Sequence, residues 1–367
     1  MKAKGIISTN QYVWLLFSVI TSFTVLEIPG MLIFNSGRGT WLSVAGAWLL
    51  DVLLAIVYAY MGIRFNGESM VQYSVTILGK YVGRVVGIIF PIFFIISASI
   101  VMRFLVALTT RLFLPDTPMD VLFVVSYILI AYGVHKGVET LARMCEFLGP
   151  IFLLSQLVLG ALLVPKVKIH RLKPVFDQGI YPILTGIPFI LSFIGICIIM
   201  GMYIPICNHP NKGFIGKFIA VSMGASMIGL LVFTSTGIFG AEQAGNMVNP
   251  AFQLARLASL GNFFQRAEII LLIVVTAAGL MTTANLIWAF STGISQIVGL
   301  SSYKPLVYPA VLLAFVLNLT SFRSNIDEFN FAYYAFFLLG ILVETGLEMF
   351  LFFAALILKK RGKKTTF

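Results

Sequence analysis

The chain has 367 residues, 59% of them hydrophobic and 11% charged, and its mean hydropathy is +0.99. Soluble domains carry about 25% charged residues, so that class is excluded. Continuous apolar runs, in place of alternating ones, exclude a strand-built membrane barrel. The net charge of +11 does not indicate nucleic acid, because the basic residues sit in loops and at the C-terminus and read as topology signals and contacts for anionic lipid.

A spanning helix needs about 20 mainly apolar residues, and ten such segments follow in order, giving an all-α polytopic membrane protein with a single membrane domain over residues 1–367. Segment one runs from about Gln11 to Phe34 and is read as a retained helix, not a cleaved signal. It is interrupted at Ser22–Gly30, where Glu27, Pro29 and Gly30 occur together. Proline removes a backbone hydrogen bond, and broken helices at membrane depth are tolerated where they line a cavity. Glu27 must therefore face protein or water, or be protonated. Segment two spans Trp41–Ile63. Segment three, Val82–Phe113, is long enough to tilt. Segment four (Asp120–Val134) and segment five (Val138–Val164) flank the turn at His135–Gly137.

After the basic loop Lys166–Gln178, segment six (Gly179–Ile206) repeats the breaker pattern with Pro182, Gly186, Pro188 and Gly195. Segment seven spans Phe214–Phe239, a surface helix is expected near Pro250–Leu260, segment eight covers Ala267–Val298, segment nine Leu306–Ser321 and segment ten Phe329–Leu358. Gly/Pro-broken segments at corresponding places in two halves point to a midplane site. The expectation is a five-plus-five inverted repeat with broken helices one and six and halves at about 10–165 and 179–358. Ten spans put both termini on one side, and the closing basic cluster assigns that side to the cytoplasm. Lys217 counts with the cytoplasmic charges, and only the Lys166–Lys173 loop opposes this orientation.

Half-helix ends expose N–H and C=O groups suited to a carboxylate and an ammonium, as an amino acid carries them. The polar candidates are Ser22, Thr24 and Glu27 in segment one, Ser97, Ser99 and Arg103 in segment three, Ser192, Gly195 and Cys197 in segment six, and Thr282, Thr283 and Asn285 in segment eight. Such hydroxyls serve helix–helix hydrogen bonds as readily as ligands. Arg103 needs an anionic partner, and Glu27 is one option. Glu344 and Glu348, four apart on one face, read either as a proton-accepting pair or as the rim of a solvated crevice. The three cysteines lack pairing or metal spacing. No phosphate loop occurs, and no enzyme signature, metal site or cofactor site is found.

The ordered set of Pro29, Arg103, Leu114–Pro118, Arg171–Val175, Gly179–Leu184, Ser192–Gly195 and Phe264–Glu268 resembles the B subunits of bacterial spore germinant receptors. These are a spore germination permease branch of the amino acid–polyamine–organocation superfamily. The resemblance implies a nutrient sensor, of amino acids or similar small molecules, in the spore inner membrane, partnered by an A subunit and a C-subunit lipoprotein. It places Phe93, Ser97, Ile194, Gly195, Thr282 and Leu286 at the ligand pocket, with Thr24 and Leu26 in the stretch just before Glu27. The chain departs from the family in having Ser22–Leu26 where a Gly-x-Gly-like unwinding is usual, and Cys197 where an acidic residue often follows the segment-six glycine. The rival reading is an ion-coupled secondary amino acid transporter.

Overall fold

The computed structural model describes residues 7–21, 23–247, 249–258, 267–322 and 324–362, with the side chains at 23, 26, 267 and 325 excepted. Lys2, Lys4, Ser22, Val248, the end of the expected surface helix at Leu260, Phe264–Arg266 of the family pattern, Arg323, Lys363 and Lys364 lie outside the described residues, as does the side chain of Leu26. Among the described residues there is no strand, and one isolated bridge joins Ile7 to Cys207 at the end of segment six.

All ten segments are present. Among the described residues, eight helical stretches are long and apolar enough to cross a membrane, and the first, Ile28–Arg64, combines the second half of segment one with segment two. Segment one is three pieces, Thr9–Thr21, Phe23–Leu26 and Ile28–Ser36. Pro29 does not kink a continuous helix: it sits in the first turn of Ile28–Ser36, where no amide hydrogen bond is lost. Glu27 is the residue at which the new helix starts. A turn at Gly37–Gly39 then leads into segment two, Thr40–Arg64.

Segment three is a 33-residue helix, Lys80–Leu112, preceded by the short helix Met70–Leu78, whose start carries a capping box from Ser69 and Gln72. Segments four and five are Met119–Lys136 and Val138–Leu163, divided by Gly137 at φ 116°, a left-handed conformation that glycine adopts without strain. Segment six is helical over Tyr181–Ile194, tightens into a 3₁₀ run at Gly195–Ile199, and ends in short turns to Ile206. Segment seven is Gly213–Phe239, segment eight Ala267–Val298 and segment nine Val307–Thr320. The surface helix is Pro250–Leu257.

Segment ten begins one turn earlier than its apolar run, at Asn325, because Ser324 caps the helix through the amide of Asp327. It contains two stretches of wide π-helix, Phe331–Phe336 and Ile341–Leu347. Such insertions concentrate at functional sites.

Segments three and eight pack along most of their lengths, segment two lies against segments six and seven, and the first piece of segment one touches segments five, seven and eight. The Lys166–Gln178 loop, which opposed the charge-based orientation, uses its cations locally. Lys166 donates to Leu257 O and Arg171 to Ile238 O, both carbonyls at helix C-termini, where a cation is favoured. Arg38 ties the loop back to segment one through Asp177 and Lys173 O. Lys217, counted as a cytoplasmic loop charge, is fully buried in segment seven and carries no topology information.

Candidate functional site

The two broken helices meet. The Thr9–Thr21 piece packs against the Gly195–Ile199 run, and Cys197 Sγ donates to Leu16 O at 3.6 Å. The short Phe23–Leu26 piece touches segment three. Segments one, three, six and eight thus converge on one interior region beside the two breaks.

Within that region Thr24, Phe93, Ser97, Ile194, Gly195, Thr282 and Leu286 are all buried. Phe93 stacks on Phe336 of the first π stretch, with centroids 6.0 Å apart, and Phe336 also meets Phe193. This aromatic group joins segments three, six and ten beside Ile194. Ser97 spends its hydroxyl on Phe93 O, one turn back. Thr282 donates to Ser18 O at 2.6 Å and to Ala278 O. Gly195 packs against the Glu344 side chain so closely that a Cβ there would overlap the carboxylate.

Ser18 was not a sequence candidate, yet it is a hub. Its carbonyl accepts from Thr282 and Thr21, and its hydroxyl accepts from Asn285 Nδ2 at 2.9 Å and from Cys145 Sγ at 3.5 Å. Segments one, five and eight are thereby joined close to the segment-one break. Thr282→Val should lower stability by about 0.5–1.5 kcal/mol, the net worth of such a hydrogen bond, read as a reduced unfolding temperature in nanodiscs. A cavity of about 230 Å³ between Cys145, Gly149 and Met281 lies alongside this hub.

Arg103 pairs with Glu328, Nε to Oε2 at 3.3 Å, and lies over the Phe322 ring. Glu328 lies just before the apolar run of segment ten, and the early start of that helix at the Ser324 cap carries it inward. Glu27, one option for the partner of Arg103, is buried nearby in the chain's first break, and the partner that Arg103 takes is Glu328.

A second buried group brings Glu344 and Glu348 together with Asp51, Tyr58, Tyr73 and Lys217. Lys217 Nζ meets Asp51 Oδ1 at 2.9 Å with both side chains fully buried, and Lys217 lies 4.2 Å from the Tyr58 ring centroid. Tyr58 donates to Glu344 O and Tyr73 to Glu348 Oε1, both at 2.6 Å. Glu344 and Glu348 are each 1% exposed, which removes the solvated-crevice alternative. Only the acids were visible in sequence; the lysine was hidden by its position four residues into a helix after a basic loop.

A polar cavity of about 530 Å³ opens at the ends of segments one and seven, with Arg38, Arg171, Asp177 and Glu242 on its walls. It reaches Ile33 and Phe34 of the second half of segment one.

Comparison with solved structures gives the fold. MHP1, a nucleobase-cation-symport-1 family transporter in a closed conformation with bromovinylhydantoin bound, superposes with a TM-score of 0.71 at 13% identity, covering 96% of this chain and 80% of the other. MhsT in complex with L-phenylalanine gives 0.68 at 12% identity, covering 95% and 97%. The chain therefore has a transporter architecture with inverted repeats and discontinuous segments one and six. Among curated relatives, the Spore germination protein YndE of Bacillus subtilis is 23% identical over 98% of both chains. Spore germination protein KB of the same organism is 23% identical over 99% of this chain and 98% of its own. The family model described as Spore germination protein matches residues 6–326, and the chain belongs to that spore germination permease family.

Proposed function

We propose that the chain is the nutrient-sensing membrane subunit of a spore germinant receptor, taking a small amino acid-like ligand between its two broken helices. The observation that carries this reading is the contact between the two broken segments, in which Cys197 of the segment-six 3₁₀ run donates to Leu16 of the helix that precedes the segment-one break, in a spore germination protein. The ligand-lining set is Thr24, Leu26, Phe93, Ser97, Ile194, Gly195, Thr282 and Leu286. The polar outer cavity, with charges of both signs, suits admission of a zwitterion.

On this reading the protein lies in the spore inner membrane with both termini cytoplasmic, in one domain with repeat halves near 10–165 and 179–358. An A subunit and a C-subunit lipoprotein read its state. The close-packed ligand region of this conformation is a closed state, and a nutrient acts by binding an alternative state better. Spores lacking this gene, screened against single nutrients, should lose germination to one amino acid or a narrow group of them. An unaltered response to every nutrient that triggers the parent spores overturns the sensing role.

Ion-coupled uptake is the second reading, favoured by the likeness in fold to MHP1, a member of a nucleobase-cation symport family. Gradient-driven accumulation of labelled amino acid in proteoliposomes decides for it.

A further inference from the structure

Three carboxylates and one ammonium share a dry compartment between segments two, six, seven and ten. Asp51 and Lys217 account for each other. Among the described residues neither oxygen of Glu344 has a hydrogen-bond partner, and Glu348 Oε2 and Asp51 Oδ2 also lack one. Glu344 and Glu348 come from the second π stretch and the helix turn after it. Two further anions with no cation of their own cannot be held ionised away from water; such groups neutralise instead. A metal is a poor occupant, because no group of three or more His, Cys, Asp or Glu side chains among the described residues is placed to hold one.

We propose that Glu344 and Glu348 form a buried proton-binding centre, set against the Asp51–Lys217 pair, whose occupancy is read by the segment-six break at Gly195. The groups facing it are Asp51 and Tyr58 from segment two, Tyr73 from the short helix before segment three, Cys197 from segment six and Lys217 from segment seven. Segment three's buried Arg103 is engaged with Glu328.

Loss of the proton breaks a carboxyl O–H bond, passes the proton to solvent water and leaves a carboxylate whose nearest cation is Lys217. That new charge appears directly against Gly195, since only the absence of a Cβ lets Glu344 reach so close. Two residues on, Cys197 holds Leu16 of segment one. Proton occupancy and the joint between the two broken helices are therefore coupled. The proposal stands whether the chain senses or transports.

The test uses the full chain in liposomes. Infrared spectra at neutral pH should show a protonated-carboxyl C=O band, shifted in D2O, that weakens in Glu344→Gln and in Glu348→Gln. Titration to alkaline pH should release one proton fewer from each variant than from the parent. Loss of band and proton in at least one folded variant sustains the centre; an unchanged band and proton count in every variant that folds overturns it. If Glu344→Gln fails to fold, Glu348→Gln decides. For the coupling, the rate of Cys197 modification by a thiol reagent, with Cys145 and Cys207 replaced by serine and each rate divided by that of a free thiol at the same pH, should change with pH in the parent and lose that dependence in Glu348→Gln. The same pH dependence in both overturns the coupling.

Discussion

Lys217→Met should lower stability by about 3–5 kcal/mol, the cost of leaving one member of a buried ion pair uncompensated. Asp51 would remain with no counter-ion, fully buried, in the compartment that already holds Glu344. The lost ammonium also gives up its place over the Tyr58 ring. Monodisperse protein after detergent extraction should fall sharply, together with the unfolding temperature. The double variant Asp51→Asn with Lys217→Met should recover most of the loss, because replacing both partners of a buried pair is often near neutral. If the single variant unfolds like the parent, the pair contributes nothing to the fold.

Gly195→Ala is the second large effect. Its Cβ would overlap the Glu344 carboxylate, and relief requires the carboxylate, the 3₁₀ run or segment ten to move. Overpacking of this kind costs about 1–3 kcal/mol. Segment ten has little room to retreat, since one turn away Gly340 is held at the backbone of Ser192, where a Cβ would approach the carbonyl to 2.9 Å. Glu344→Ser, which removes the obstructing group, should make Gly195→Ala far less costly. A double-mutant cycle on unfolding temperatures should show a coupling of about 0.5–3 kcal/mol; strictly additive effects would mean that glycine is there for another reason. On the proposed sensing role, the nutrient response of spores should fail in Gly195→Ala and return in part in the double variant.

How far the sequence could be read depended on the range of the interaction. Apolar length and breaker residues are local properties, so the ten segments, the interruption at Glu27–Pro29 and the break at Gly195 were legible. Pairings between segments were not. Lys217 lies 166 positions from Asp51, and nothing in its neighbours distinguishes it from a membrane-rim lysine. Glu328 was hidden for another reason: the apolar run of segment ten starts after it, whereas the helix starts at the Ser324 cap before it. Ser18 lies in a run that reads as plain membrane helix, and its role as a hub depends on Thr282 and Asn285 arriving from segment eight. Of the hydroxyl candidates, Thr24, Ser97, Ser99, Ser192, Thr282 and Thr283 are buried, and Ser97 and Thr282 satisfy backbone carbonyls, which spacing alone could not decide.

The two wide-turn stretches of segment ten give that helix a mechanical property of its own. A π turn holds slack in its hydrogen-bond ladder, and passing that slack along one bond at a time swivels the residues it crosses while the ends stay put. Both ends are tethered, by Arg103 to Glu328 at one and by Arg64 to Ala355 O and Lys360 O at the other. Between these anchors lie Phe336, stacked on Phe93, and Glu344, pressed on Gly195. Segment ten is therefore anchored at both ends, and the spare backbone length of its two wide turns lies between the anchors, beside the Phe336 ring and the Glu344 carboxylate.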